Sequence, residues 1–146
     1  MIDINQRQEE IVEEFNDFDD WMDRYSLLID LGNQLAPMDE SLKTPENLID
    51  GCQSRVWLDS ELTPEGTMHF EADSDAMIVK GIIALLTRVL EGATPQQVLD
   101  TPLTFIDRIG LSEHLSPTRS NGLVAMVKQI RAYALAYKAK QEAAGK

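Results

Sequence analysis

Arg55-Val56-Trp57-Leu58-Asp59-Ser60-Glu61-Leu62, then Thr63-Pro64-Glu65-Gly66, then Thr67-Met68-His69-Phe70-Glu71-Ala72, is two alternating runs around a turn. Successive side chains of a strand point to opposite faces. Ser54, Val56, Leu58, Ser60 and Leu62 therefore share one face, and Arg55, Trp57, Asp59 and Glu61 share the other. Met68, Phe70 and Ala72 repeat the apolar face in the second run. Thr63-Pro64-Glu65-Gly66 is a turn signal, since proline presets φ at its second position. The stretch reads as an antiparallel hairpin. Residues 47–50 are a candidate short strand before it, joined by the loop that holds Cys52.

Directly after the hairpin, residues 75–91 are apolar nearly all round at helical spacing, from Ile78 and Val79 to Val89 and Leu90. Such a helix belongs in the centre of a core. Gly81 would let a neighbour approach closely, and Gly92 suits the helix stop. Upstream, residues 4–16 form a helix with Ile4, Ile11, Val12 and Phe15 on one face. Asp19 or Asp20 caps a second helix, whose stripe is Trp21, Tyr25, Leu28 and Leu35 and which Ala36-Pro37 ends. Short helical turns follow at residues 39–42 and at Thr44-Pro45.

Downstream, Thr94-Pro95, Thr101-Pro102 and Ser116-Pro117 each place a hydroxyl cap before a proline at the first helical position. The last helix is expected over residues 117–138, with Leu123, Met126, Val127, Ile130, Ala134 and Tyr137 inward and a frayed Lys/Ala/Gln-rich tail. The expected architecture is α+β: a small antiparallel sheet with helices packed on one face, in a single domain over residues 1–146.

The 146 residues carry 25 Asp plus Glu against 13 Lys plus Arg, a net charge of −12. Nucleic-acid backbones and anionic membrane surfaces call for the opposite balance, so neither is an expected partner. The N-terminus lacks the charged start, apolar run and cleavage site of a signal peptide. The most apolar stretch, residues 78–90, is interrupted by Lys80, Thr87 and Arg88. The expected location is the reducing cytoplasm, where a free thiol persists. Cys52 is the one cysteine, which excludes an internal disulfide and a cysteine-only metal cage.

There is no glycine-rich phosphate loop and no histidine pair spaced for metal. His69 reads as a solvent-side strand residue, and His114 as a structural hydrogen bonder before a helix start. Most carboxylates form a solvated face. What remains is Gly51-Cys52-Gln53-Ser54. Gly51 suits a tight turn, the following residues are polar, and the site falls in a loop between strands. On these features a reactive thiol and an inert one are equally good readings. If reactive, Cys52 fits three chemistries. A cysteine hydrolase needs a base near the thiol and an oxyanion hole. An iron–sulfur or zinc scaffold needs about four ligands, more than one Cys and two His supply. A sulfur carrier needs one accessible thiol and no cofactor, base or second cysteine. The inventory favours the carrier.

Four ordered blocks resemble the SufE family, including its CsdE branch. Tyr25-Ser26-Leu27-Leu28-Ile29-Asp30-Leu31-Gly32 is similar to the family helix "Y-x-x-L-I-x-L-G". Gly51-Cys52-Gln53-Ser54-Arg55-Val56-Trp57-Leu58 is similar to its "G-C-Q-S-x-V-W-L" signature. Residues 72–81 resemble "A-D-S-D-A-x-I-V-K-G", and residues 115–123 resemble "L-S-P-S/T-R-x-N-G-L". The resemblance implies an α+β fold related to the IscU-type scaffold. It implies that Cys52 accepts sulfane sulfur from the persulfide of a PLP-dependent cysteine desulfurase of the SufS/CsdA kind, with stimulation of that enzyme. The sulfur would pass to an iron–sulfur scaffold complex. On this reading the chain is no enzyme itself, has no cofactor of its own, and leaves the PLP to its partner.

The supporting residues each have a plainer reading. Gly51 turns the loop. Gln53 and Ser54 orient the sulfur or cap the loop. Asp73 and Asp75 stand at the expected start of the central helix, where carboxylates cap or position the cysteine loop. Arg119 lies in the first turn of the last helix, an unfavourable place for a cation, which suggests an anion or the cysteine loop beside it, with a salt bridge the equal alternative. Asn121 and Gly122 pack that helix. Trp57 is a candidate partner contact, though core packing is the stronger reading.

Overall fold

The computed structural model describes residues 1–144. Strands β1 (Val56–Leu62) and β2 (Met68–Ser74) pair antiparallel, with Val56 opposite Ser74 and Leu62 opposite Met68. Thr63 and Thr67 close the turn through a 2.8 Å backbone bond and a 2.7 Å hydroxyl pair. Val56, Leu58, Met68, Phe70 and Ala72 are buried, while Trp57, Asp59, His69 and Glu71 on the other face are half-exposed. The expected strand at residues 47–50 is reduced to one bridge, Leu48 opposite Trp57, with the Ile49 amide donating to Val56 O at 2.9 Å. Pro45–Asn47 is instead a 3-10 turn, so too little extended chain is left for a third strand.

Helix α1 (Ile4–Asn16) buries Ile4, Gln8, Ile11, Val12 and Phe15. Helix α2 (Trp21–Asn33) starts at an Asp20 cap, whose carboxylate accepts from the Met22 amide at 2.8 Å. It stops before Ala36, because Gln34 and Leu35 already make tightened bonds to Leu31 and Gly32. Helix α3 (Met77–Leu90) lies in the centre with ten of its fourteen residues buried. Each buried Leu or Ile there contributes roughly 1.5–3 kcal/mol, so α3 is the main apolar anchor. It crosses α2 at Gly32 and Gly81, where a Cβ on Gly81 would lie 2.2 Å from Leu28 O. Nothing larger than glycine fits that crossing. Gly92, at φ 81°, turns the chain after α3.

Helix α4 (Pro95–Asp100) has a full capping box from Thr94 and Gln97. Thr101-Pro102 starts no helix. Thr101 closes α4, and the buried Gln8 side chain takes Pro102 O and the Phe105 amide, holding the chain extended until α5 (Phe105–Arg108). After α6 (Leu111–His114), α7 (Pro117–Ala144) starts at the expected proline. It runs past residue 138 through Ala144, in place of the expected frayed tail, whose last two residues lie outside the described ones. Helix α3 packs on β2, and α2 and α7 pack on α3, so the core lies on one face of the hairpin and the fold is α+β. Across the outer face, at its Trp57–Asp73 end, lies the Lys43 side chain.

Candidate functional site

Residues 50–54 are the tip of a loop whose base is tied to the sheet. On one side Ile49 bonds Val56; on the other, the Asp75 amide donates to Arg55 O at 3.2 Å. The Asp75 carboxylate accepts from the Arg55 amide at 3.0 Å, and the Ser74 hydroxyl donates to Arg55 O at 2.8 Å. Asp75 thus fastens the loop base and does not cap α3, whose N-cap is Ala76 with no side-chain cap bond. Strand β2 runs through Ser74, so the helix starts two residues later than expected.

Asp73 also does not cap. It sits in β2 opposite Trp57, accepts from the Ser74 amide, and pairs with Lys43 at 2.9 Å and Lys80 at 3.3 Å. Burial pushes the Asp73 carboxyl up, but bonds from Lys43, the Ser74 amide and Lys80 outweigh it and hold the group below the usual carboxylate range. Lys43 in turn is raised by its bonds to Asp73 and Glu40, and its Nζ lies 5.5 Å over the Trp57 ring. Trp57 is therefore half-buried under the segment leading to Cys52, not packed in the core.

Gly51 takes φ 91°, the left-handed region that a residue with a side chain rarely adopts. This turn directs Cys52 toward the first turns of α7. Sγ lies 3.7 Å from Gly122 O, to which the thiol donates, and a Cβ on Gly122 would be 3.4 Å from Sγ. Cys52 and Arg119 face one cleft of about 300 Å³, together with Gln53, Ser54, Ser116 and Thr118. Val79 of α3, Gly122 and Met126 complete it.

Burial alone raises the Cys52 thiol above its ordinary range, because it disfavours the charged thiolate. Arg119 is exposed and makes no salt bridge among the described residues; its amide donates to the Ser116 hydroxyl at 3.3 Å. Gln53 and Ser54 line the cleft without bonding Sγ.

Neither histidine lines this cleft. His69 pairs with Glu91 at 3.0 Å, a bond that raises its pKa. His114 Nδ1 lies 3.0 Å from Gly110 O. No group of three or more His, Cys, Asp or Glu is placed to hold a metal ion among the described residues. No helix of those residues is long and apolar enough to cross a membrane. Ser116, Thr118, Gly122 and Met126 were not singled out as site residues from sequence. Their one-sided spacing on α7 is visible there, but what faces it is decided by the cysteine loop and α3.

A hairpin covered on one face by helices, with one thiol set in a cleft at the start of the longest helix, defines a helical α+β domain built around a single reactive-group candidate. A family model described as "SufE: Fe-S metabolism associated domain" matches residues 9–134. The chain belongs to this family, and its role lies in iron–sulfur metabolism. In fold it is similar to the solution structure of a hypothetical protein from Thermus thermophilus. That likeness has a TM-score of 0.74 and covers 91% of this chain and 96% of that one at 22% identity.

Proposed function

We propose that Cys52 is a sulfur acceptor serving a PLP-dependent cysteine desulfurase. The observation that carries this reading is the placement of the chain's one thiol, at a loop tip in a cleft that contains neither a histidine nor a carboxylate. A hydrolase has no base there to raise the thiolate fraction. Sulfur transfer needs none within this chain. The Cys52 thiolate attacks the terminal sulfur of the partner's persulfide. A new Cys52 Sγ–S bond forms, the partner's S–S bond breaks, and the partner cysteine leaves as thiolate. The proton lost by Cys52 is taken up by that leaving thiolate, so charge and atoms balance.

Because burial disfavours the thiolate, we assign deprotonation to the docked complex. Gly51, Gln53 and Ser54 carry the thiol, Asp73 and Asp75 hold its loop, and Arg119 lines the opposing wall, where it favours the anionic persulfide. Removal of the persulfide regenerates the desulfurase nucleophile, which stimulates turnover. The sulfur passes to an iron–sulfur scaffold complex. The chain holds no cofactor of its own, and the PLP belongs to the partner. Cys52→Ser is expected to abolish sulfur transfer and stimulation with the thermal melt unchanged. Sulfide release by a desulfurase of the same cell that is stimulated equally by both proteins would overturn the proposal.

A further inference from the structure

Tyr25 opens the helix motif of residues 25–32, and nothing in the cleft uses it. Its hydroxyl donates to the backbone carbonyl of His114. The His114 ring stacks on Trp21, with centroids 3.9 Å apart and planes 11° apart. His114 Nδ1 must carry its proton, because its partner at 3.0 Å is the Gly110 carbonyl, which only accepts. Arg24 lies 5.3 Å over the Trp21 ring and donates to Ile109 O at 3.0 Å. Gly110 takes φ 74°, and a Cβ there would meet the Trp21 ring at 3.3 Å. Residues 109–114 are thereby held flush against the first half of α2.

The chain that follows, from Ser116 to Arg119, is the wall of the cleft opposite Cys52. The second half of α2 is locked to α3 at the Gly32–Gly81 crossing. Helix α3 supplies Val79 to the cleft and starts just after Asp75, which ties down the cysteine loop. Helix α2 thus touches the corner that leads into one wall and packs on the helix that supplies Val79 to the cleft, while α7 itself packs on α4 and α3.

We propose that Tyr25, Trp21 and His114 are positioning residues, a clamp that sets Arg119 against Cys52. The clamp acts through Arg119 and rests on the sulfur-acceptor reading only for what the cleft does. Trp21 packs against the core, while Tyr25 is half-exposed and His114 exposed, so the contacts of Tyr25 and His114 chiefly fix a corner of the chain.

The test needs no desulfurase. Cys52 is the one thiol, so alkylation reports on the cleft alone. The rate with iodoacetate, an anion, is divided by the rate with neutral iodoacetamide. Arg119→Ala is expected to lower this ratio about threefold, the scale of one solvent-exposed charge pair. Tyr25→Phe and His114→Ala are expected to lower it about twofold in an otherwise wild-type chain, and not at all when Arg119 is already alanine. Both variants melting lower with an unchanged ratio would overturn the clamp. So would equal losses with and without Arg119, or an Arg119→Ala ratio equal to wild type. A desulfurase that never loads Cys52 would instead overturn the sulfur-acceptor reading and leave these ratios as they are.

Discussion

Cys52 and Arg119 face the same cleft from walls that are built differently. The Cys52 wall is a short loop tip. Its base is bonded to β1 and β2, but the tip itself holds on by the contact of Sγ with Gly122 O. The Arg119 wall is the first turn of a 28-residue helix, entered through a corner clamped to α2 by a hydroxyl bond and an aromatic stack. One wall can yield by breaking a single weak contact, whereas moving the other means moving a helix. A thiol that must leave a cleft to meet a partner belongs on the first kind of wall. A charge that must stay in register with it belongs on the second.

The largest effect is expected from crowding the yielding wall. In Gly122→Val the added methyls meet Sγ, which already lies 3.4 Å from a Cβ at that position. The tip should swing out and Cys52 should react with iodoacetamide about tenfold faster, equivalent to about 1.4 kcal/mol of lost closure. Gly122→Ala is the matched control, which fits at ordinary contact and should leave the rate near wild type. If Gly122→Val slowed the reaction instead, the tip would be the rigid wall.

Next comes the anchor of the segment leading to the tip. Asp73→Asn keeps the shape but removes the charge that holds Lys43 and Lys80, with an expected loss of about 1 kcal/mol at neutral pH. The Asp73 pKa is lowered in the folded chain, so its contribution is present above the ordinary carboxylate range and is lost as pH falls through the lowered value. Wild type and Asp73→Asn should therefore converge in stability under acid denaturation. A gap that persisted in acid would place the effect outside this ion cluster.

The smallest effect on stability is expected at Arg119, whose guanidinium is exposed and without a salt bridge among the described residues. Arg119→Ala should stay within about 0.5 kcal/mol of wild type while stimulation of a desulfurase falls. Thermal melting that collapsed before stimulation changed would make Arg119 a structural residue and erase the contrast between the walls.

Much of this was legible locally. The period-two runs around Thr63-Pro64, the all-round apolar α3 and the caps at Asp20, Thr94 and Ser116 are short-range signals, and each produced its element. Gly81 was legible as a close approach because a glycine inside so apolar a helix needs a packing reason. Thr101-Pro102 misled because the same dipeptide signal was overridden by Gln8, more than ninety residues away. Asp73 and Asp75 misled for a related reason. Carboxylates before a helix read as caps, yet β2 extends through Ser74, which leaves Asp73 on Lys43 and Lys80 and Asp75 on Arg55 across the hairpin. Lys43 carries no local signal at all, since its role exists only once the chain has crossed the sheet. The cysteine itself was plain from its solitude and its Gly51 neighbour. Which residues face it was not, because Arg119 and Gly122 meet Cys52 only once α7 has packed on α3.

The most direct test of the account is the mass of the protein after incubation with a cysteine desulfurase of the same cell and free cysteine. Sulfur acceptance on Cys52 predicts a gain of one or more sulfur atoms that maps to the peptide holding Cys52, is removed by a reducing thiol, and is absent in Cys52→Ser. An unchanged mass, under conditions in which the desulfurase itself becomes persulfidated, would contradict it.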